Sequence, residues 1–598
     1  MILNNLTPEQ LVAVKRKGHV LLSACPGSGK TRTIIHKLAY ESSQLDSKSK
    51  KKVVAVTFTV RASDEIFNRL NRMDIDKSKV WSGTLHSFCL NWLIKPYGSY
   101  LTELKDGYTL ADESFKKTLL DTITQQYQEN YSIERSVDLY IDNSRLRRDG
   151  SFDEQNYHKR QVLETYHQEL NKNKIIDFDL LLYYSYNLLD TYPTIGKVLS
   201  NLFQLICIDE YQDTQDLSYA IICNIINAGN GNTSLFLAGD SDQSIYYSLG
   251  GIVKNKVEIE AELNGQQIAE LSLTGNFRST QRIIDYYNSF KSNPIPIVAT
   301  GNNQNDQGTI THNHRIHKSG LVAEIARLIQ VSIDNCIPEN EICILVPQWW
   351  LITSIARQLK TVLPDTSFDA TGLAPMSKNR DNFWYKLSRL FLTEPGPNIY
   401  VLRHLWAREL LDSFHEHTGT HFFEPYNLER NILRLANSIS STETEAIPYL
   451  EDCFNQFNTK IGINIDSLIT LKNSWDIYFR NINNRLTDPE YDVPSDIISF
   501  KNLYKERNGI VINTCVGIKG EEFETVIAFG LLKGFVPHWN DIFSNRINEI
   551  ESSKKLMYVI CSRAKKNLHL ISEQGRVTRR GAPLEITPVL RSKQYSYD

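Results

Sequence analysis

The chain contains no long apolar run. Nothing in it approaches the ~18 uncharged apolar residues that a membrane-spanning helix needs, and mean hydropathy is −0.34. The first ten residues, MILNNLTPEQ, lack the basic patch and apolar core of a secretory signal. A soluble cytoplasmic protein with no membrane partner is therefore expected. Cysteine is sparse and unpatterned: nine in 598 residues, with no C-x-x-C pair and no histidine at zinc spacing. Neither a disulfide framework nor a zinc site is supported. Cysteines such as Cys207 in LICIDE and Cys343 in EICILVP are expected as small buried apolar side chains. Glycine (29) and proline (19) are too few for a collagen-like or Pro-rich disordered chain. Charge of one sign is missing too. Sixty-six Lys and Arg face 69 Asp and Glu, a net charge of −3. That gives no support to a small basic coat protein, but it leaves room for an enzyme whose cations line one groove.

What is present is ordinary globular composition, 41% apolar and 23% charged. At roughly 150 residues per domain, the length suggests about four domains or lobes. Four short apolar runs stand out early: HVLLSA (19–24), VVAVTF (53–58), LICID (205–209) and LFLAGD (235–240). Each is continuous rather than alternating, as strands buried on both faces of a parallel sheet are. Helical-period segments follow the first two, so an α/β sheet with active residues at the strand C-termini is predicted. From about 93 to 175 this rhythm breaks into polar, amphipathic stretches that read as a mainly helical insertion. A second set of runs, EICILVP (341–347), IVINTC (510–515), TVIAFG (525–530) and LHLIS (568–572), surrounds another helical and polar region from about 375 to 495. The second half thus repeats the plan of the first. The lysine-rich SKSKKK (47–52) reads as a solvated loop.

HVLLSACPGSGKTRTII is the most informative segment. A strand ends at Ala24, small residues follow, and Lys30 and Thr31 open a helix. Gly27 and Gly29 let the backbone turn its N–H groups inward, forming an anion nest at a helix N-terminus. Lys30 then reaches the β- and γ-phosphates of a nucleotide, and the Thr31 hydroxyl reaches Mg²⁺. The usual pattern has glycine six residues before the lysine, where this chain has Ala24. LICIDEYQDTQ supplies the second half of the site. Asp209 closes a buried strand, where its carboxylate helps to hold Mg²⁺. Glu210 beside it is placed to orient and deprotonate the attacking water.

ACPGSGKT (24–31), VTFTVRAS (56–63), GTLHSF (83–88), IDEYQDTQ (208–215), GDSDQSIY (239–246) and NFRS (276–279) occur in the order found in UvrD/Rep-like superfamily 1 (SF1A) DNA helicases. IKGEEFETV (518–526) and LMYVICSRAKK (556–566) look like that family's last two motifs. An ordered series is far more specific than any one motif. The resemblance implies an ATP-driven motor, with ATP and Mg²⁺ as cofactors. Its fold class is α/β: two RecA-like P-loop NTPase lobes of parallel sheets flanked by helices, each with a mainly helical insertion. Lobe 1A then takes residues 1–92 and 176–275, with insertion 1B at 93–175. Lobe 2A takes 276–374 and 496–598, with a 2B-like insertion at 375–495. ATP is implied to sit between the lobes, with single-stranded DNA crossing their top and movement running 3′ to 5′.

Carried over residue by residue, Gln10 in LTPEQ resembles the glutamine that reads adenine. Ala24, Cys25, Pro26, Gly27, Ser28, Gly29, Lys30, Thr31 and Arg32 form the nucleotide loop, and Glu522 in KGEEF resembles the acid that contacts the ribose. Gln243 resembles the residue coupling γ-phosphate state to the DNA site. Arg278 in NFRS and Arg563 in CSRAKK match two arginines that reach the γ-phosphate from the second lobe. For DNA the candidates are Thr57, Phe58, Thr59, Thr84, His86, Ser87 and Phe178. Short hydroxyls and backbone N–H groups bind phosphates without reading bases, and aromatics stack on bases of any sequence. Phe58 reads equally well as core.

The chain also departs from the family. QSIYYSLGG puts Ser248 and Leu249 where an aromatic and an arginine are usual, leaving Tyr247 as a substitute stacking residue. TCVGIKGEE has Val516 for histidine and Glu521 for leucine. ILVPQWW has Pro347 for an arginine, and Trp349 and Trp350 beside it are read as core in preference to a replacement stacking surface. These losses leave the hydrolysis chemistry intact and fall on DNA coupling. Compact members of the family include the helicase-like subunit of Gabija-type antiphage defence, which acts with a separate nuclease, and this chain resembles it. Repair and antiviral defence both stay open, as does a nuclease subunit as partner. A nucleotide- and DNA-gated regulatory subunit with little unwinding of its own is the other open reading. The implied substrate is single-stranded DNA, or DNA with a single-stranded tail.

Overall fold

The computed structural model describes residues 2–73, 75–111, 116, 119–126, 146–152, 157–247, 250–291, 296–370, 375–376, 382–397, 399–418, 428–487, 493–504, 509–539, 542, 548–578 and 580–598. Ser248 and Leu249 lie outside the described residues. Two compact units result. The first comprises Met1–His314, Leu531–Ser572 and Arg576–Asp598; the second comprises Arg315–Gly530 and Glu573–Gly575.

The first unit is built on six parallel strands: β1 (His19–Ala24), β2 (Lys52–Thr57), β3 (Val80–Thr84), β4 (Phe203–Asp209), β5 (Ser234–Gly239) and β6 (Ile268–Leu273), in the order β3-β2-β4-β5-β1-β6. Alternate residues of the central strands enter two different cores. Val20, Leu22, Val53, Ala55, Leu205, Cys207 and Phe236 pack with Ile34, Ile35 and Leu38 of the helix Lys30–Ser43 on one face. Leu21, Val54, Val56, Ile206, Ile208, Leu235 and Leu237 pack on the other face with the helices Phe178–Thr191, Pro193–Leu202 and Asp216–Ala228. With both faces buried, the period-2 alternation of a strand becomes a continuous apolar run. The edge strands read differently. In β6, IAELSL is buried only at its ends, Ile268 and Leu273, and in β3, VWSGT is mostly half-buried.

The register brings the strand ends level. Leu22 pairs with Ala238, Ala238 with Asp209, Ile208 with Val56, and Thr57 with Thr84. The loop after Ala24, Asp209, Thr57 and Thr84 therefore leave one edge of one sheet, the edge at which parallel α/β sheets bind ligands. Between 93 and 175 the described residues include the helix Tyr157–Lys172 and a two-residue parallel pair, Thr109–Leu110 with Ile175–Ile176. The first unit also holds the helix Glu549–Cys561 and the strand Ala564–Ile571, which pairs in parallel with Thr309–Asn313.

In the second unit Ile342–Val346 pairs in parallel with Phe523–Ala528 on one side and Ile510–Thr514 on the other, and Phe368–Ala370 joins beyond Ile510–Thr514. Among the described residues, six helices between Phe383 and Asn502 form a separate aromatic core around Trp384 and Phe454. Trp384 Nε1 donates to the Leu471 carbonyl at 2.9 Å.

Two expectations are corrected. Trp349 and Trp350 are not core: each is 57% exposed. The buried run of their strand stops at Val346. The next helix, Leu351–Val362, buries Leu351, Ile352, Ile355, Ala356 and Leu359, so the tryptophans fall in the turn ahead of its apolar stripe. Cys336 is exposed, whereas the other eight cysteines are buried as expected. It follows the helix Leu321–Asp334 in a turn, with φ of 60°. Among the described residues, no helix is long and apolar enough to cross a membrane.

Candidate functional site

β1 ends at Ala24 and the next helix begins at Lys30, so the loop between them has five residues. Gly27 and Gly29 take φ of 72° and 78°, the left-handed region that glycine enters freely. Neighbours press on both. A Cβ on Gly27 would lie 2.6 Å from Cβ of Arg278, and one on Gly29 would lie 2.7 Å from Gln10 Nε2. Ala24, Cys25, Pro26 and Ser28 are buried, Thr31 is half-buried and Arg32 is exposed, donating to the Asn5 carbonyl at 2.6 Å. Burial pushes the Cys25 thiol up to about 12, so it is an inert packing group. Ser28 Oγ is buried with no hydrogen-bond partner among the described residues. An unsatisfied hydroxyl in a glycine cradle at a helix N-terminus fits a polyphosphate.

Lys30 bridges two carboxylates. Its Nζ lies 2.9 Å from Asp209 Oδ1 and also contacts Glu210 Oε1. Burial works to lower the Lys30 pKa, but Asp209 and Glu210 outweigh it and hold the ammonium above the ordinary lysine value. Asp209 moves the other way from most paired acids. Burial raises its carboxyl above the usual range, against the opposing pull of Lys30. Glu210 has φ of 57°, a left-handed backbone in a residue with a side chain, the kind of local strain that collects at functional sites. Gln212 Nε2 donates to Glu210 Oε2 at 2.6 Å.

The NFRS segment is fastened to the glycine loop. Asn276 Nδ2 donates to the Pro26 carbonyl at 2.6 Å and to Tyr287 Oη at 2.9 Å, and Phe277 N donates to the Gly27 carbonyl at 2.9 Å. Arg278 Nη1 donates to the Ser562 carbonyl at 2.7 Å, beside the second arginine. Arg563 is itself only 2% exposed, and its Nη2 donates to Gln243 Oε1 at 3.1 Å. Gln243 Nε2 donates in turn to Asp240 Oδ2 at 3.0 Å. Gln10 forms a capping box with Thr7 at the helix Pro8–Lys15, and its Nε2 donates to the Ser28 carbonyl at 3.0 Å, so it braces the loop.

A cavity of about 210 Å³ is lined by Glu210 and Asp209 together with Thr57, Phe58, Thr84 and His86. Thr57 is buried, and its hydroxyl donates to the Thr59 carbonyl at 2.9 Å. Thr59 and Thr84 cap the helices that follow them, accepting from Ala62 N and Ser87 N; the Thr84 and Ser87 hydroxyls lie 2.9 Å apart. Phe58 is 43% exposed and stacks on Tyr246, with ring centroids 4.9 Å apart and planes 28° apart. His86 and Phe178 form a second aromatic pair at 4.9 Å. Tyr247 faces elsewhere: Lys555 Nζ lies 4.7 Å from its ring centroid and contacts its hydroxyl.

The structure therefore gathers Gln10, the loop 24–31, Asp209, Glu210, Gln243, Arg278 and Arg563 in the first unit, with Thr57, Phe58, Thr84 and His86 across one cavity from Glu210. Glu522 is exposed in the second unit, just ahead of the strand Phe523–Ala528. Sequence reasoning passed over Gln212, Asp240, Tyr246, Asn276, Tyr287 and Tyr558. Four of them stand inside quoted motifs and a fifth, Tyr558, inside LMYVICSRAKK, so the signal was present for all but Tyr287.

Comparison with known proteins places these motifs. Residues 6–263 match the family described as the UvrD/REP helicase N-terminal domain, and residues 464–575 match the UvrD-like helicase C-terminal domain. The chain is 29% identical over 303 residues to the ATP-dependent DNA helicase PcrA of Staphylococcus aureus strain Mu50, a stretch covering 49% of this chain and 40% of that protein. It is 28% identical over 300 residues to the protein of the same name from Staphylococcus epidermidis strain RP62A, covering 48% and 40%. The matched stretch thus spans well under half the length of these relatives. The two matched domains together take in more than half of the chain and carry the nucleotide loop, the Asp209–Glu210 pair and Arg563: the chain belongs to the UvrD/Rep family of helicases.

Proposed function

We propose that the chain is an ATP-dependent DNA helicase or translocase that moves 3′ to 5′ on single-stranded DNA, in repair or antiviral defence. The observation that carries this reading is Lys30 held by both Asp209 and Glu210 at the mouth of a glycine cradle. The names of its relatives, ATP-dependent DNA helicases, agree with it. The lobes and insertions follow the six segments given above.

Lys30 and the loop N–H groups bind the phosphates of ATP. Thr31 and Asp209 would hold Mg²⁺, which would supply positive charge to offset that of the ATP phosphates. One hydroxyl and one carboxylate are oxygen donors of the kind that a hard cation takes. Among the described residues no cluster of three or more His, Cys, Asp or Glu offers a fuller cage. Glu210 orients water and accepts its proton as the water oxygen bonds to the γ-phosphorus and the bond to the ADP oxygen breaks. Arg278 and Arg563 stabilise the charge that spreads over the equatorial oxygens. Phe58 with Tyr246, and His86 with Phe178, offer faces on which bases stack, while Thr84 and Ser87 offer hydroxyls to phosphates.

The test is steady-state ATP hydrolysis with and without single-stranded DNA. Wild-type turnover is stimulated by DNA, and Lys30→Ala and Glu210→Gln each lose at least ~100-fold while keeping their circular dichroism. Near-normal turnover in either variant overturns the assignment. Displacement from 3′-tailed but not 5′-tailed duplexes checks direction. Ser248, Leu249 and Val516, each departing from the family's usual residue, favour a second reading, a nucleotide- and DNA-gated subunit of a nuclease complex. Weak turnover, without displacement and raised by a partner, is its signature.

A further inference from the structure

Two glutamines and an aspartate run in a line across the C-terminal edge of the first unit's sheet, and what they face fixes their amide orientations. Gln212 donates through Nε2 to Glu210 Oε2, and its Oε1 accepts the backbone N–H of Asp240 at 3.1 Å. Gln243 donates through Nε2 to Asp240 Oδ2, and its Oε1 accepts Arg563 Nη2. An ionised carboxylate has no proton to give, and neither a backbone N–H nor a guanidinium has a lone pair to offer. Neither amide can be turned over without losing both of its bonds. The same Asp240 Oδ2 receives the hydroxyl of Tyr558 at 2.9 Å. Gln212, Asp240, Gln243, Tyr558 and Arg563 are all buried, so water does not compete for these partners and the bonds reinforce one another. Gly239 makes room for the line: a Cβ there would lie 2.0 Å from Gln212 Oε1.

Tyr558 and Arg563 also share a support. Tyr558 sits in the last two turns of the helix Glu549–Cys561, and Arg563 follows its end, with Nε donating to the Val559 carbonyl at 3.0 Å. The phenol and the guanidinium therefore approach Asp240 and Gln243 from one rigid element. Resting on the reading of this site as an ATPase, we infer that Tyr558 is a positioning residue for hydrolysis. It fixes Asp240 so that Gln243 turns its carbonyl to Arg563, while Gln212 ties Glu210 to the same aspartate. The water-activating carboxylate and the phosphate-sensing arginine are thereby held in register by one hydrogen-bonded line.

Tyr558→Phe tests this, because it removes only the hydroxyl and keeps the ring, which packs edge-on against Tyr287 at 5.3 Å. The expected result is a fall in kcat for ATP of about tenfold, the order of one lost transition-state hydrogen bond, with KM for ATP essentially unchanged. Arg563→Ala falls further, and the double variant Tyr558→Phe/Arg563→Ala falls no further than Arg563→Ala alone, since both act through one line. Asp240→Ala, which removes the acceptor that Tyr558 and Gln243 share, is expected to fall at least as far as Tyr558→Phe and serves if that variant is poorly folded. Wild-type turnover in Tyr558→Phe and Asp240→Ala, beside an inactive Glu210→Gln, overturns the inference and leaves the ATPase reading standing. Full additivity with Arg563→Ala overturns it too. Normal turnover in Glu210→Gln removes the ATPase reading itself.

Discussion

Three glycines of the first unit share a left-handed backbone but not a neighbourhood, and that makes their alanine variants a graded test of the nucleotide loop. Gly18, Gly27 and Gly29 have φ of 81°, 72° and 78°. Alanine in this region costs ~1–2 kcal/mol, offset by ~0.4–1 kcal/mol from the stiffer unfolded chain. At Gly18 nothing lies within 4 Å of a new Cβ, so Gly18→Ala destabilises by about 1 kcal/mol from backbone strain alone. At Gly29 the obstacle is the end of the Gln10 side chain, at 2.7 Å. That amide swings away and gives up its bond to the Ser28 carbonyl, adding about 1 kcal/mol. At Gly27 the obstacle is Cβ of Arg278 at 2.6 Å, with the Asn276 amide at 3.1 Å. A Cβ moves only with its backbone, so overpacking adds ~1–3 kcal/mol and pushes NFRS off the loop. Urea unfolding of the full chain, compared at the midpoint of one transition, ranks Gly27→Ala as most destabilised, then Gly29→Ala, then Gly18→Ala. ATP turnover falls in Gly27→Ala and stays at wild-type level in Gly18→Ala. Equal destabilisation of Gly18→Ala and Gly27→Ala refutes the close docking of NFRS on the loop.

Other groups give independent checks. Phe58→Ala leaves the fold intact, because the ring is 43% exposed, and weakens single-stranded DNA binding by ~1–3 kcal/mol, read by fluorescence anisotropy. Burial and the neighbouring His314 push His312 down to about 4, below the ~6.5 of an unfolded histidine. The unfolded chain thus binds the proton first as pH falls, so stability declines from pH 6.5 toward 4; His312→Gln flattens that decline in urea melts taken across the window. Arg148 Nε lies 2.7 Å from Asp216 Oδ2 and its Nη2 lies 2.6 Å from Glu262 Oε1, with Lys254 on the same two acids. Burial works to raise both carboxyls, but Arg148 and Lys254 outweigh it and hold them below their ordinary values. Their contribution is present at neutral pH and is lost as pH falls through those lowered values. Arg148→Ala therefore costs about 1 kcal/mol at pH 7, discounted for a half-open cluster, and nothing once both acids are protonated.

Much of the fold was legible because burial writes itself into composition. HVLLSA, LICID and LFLAG are strands within two residues of where their apolar runs stand, since both of their faces are covered. β3 and β6 were not legible, because an edge strand needs no continuous run. Residue types at strand ends were legible in the same way. Small residues before Lys30 and acids after LICI can be recognised one strand at a time.

Which strand end meets which was not legible, and the site is made of such meetings. Chain order runs β1, β2, β3, whereas the sheet runs β3-β2-β4-β5-β1-β6, so Asp240 at the end of β5 becomes a neighbour of both the nucleotide loop and Gln212. The bonds from Tyr558 to Asp240 and from Arg563 to Gln243 span 318 and 320 residues, and no local pattern carries that distance. The same blindness explains the aromatic platform. Tyr246 and Tyr247 are adjacent and alike in type, yet Tyr246 stacks on Phe58 and Tyr247 lies under Lys555. A motif constrains chemistry by residue type, so Lys30, Glu210 and Arg563 declare themselves. A positioning residue needs only a donor or an acceptor in the right place, which many types supply, so Gln212 and Tyr558 declare themselves only through the partners that the strand order brings to them.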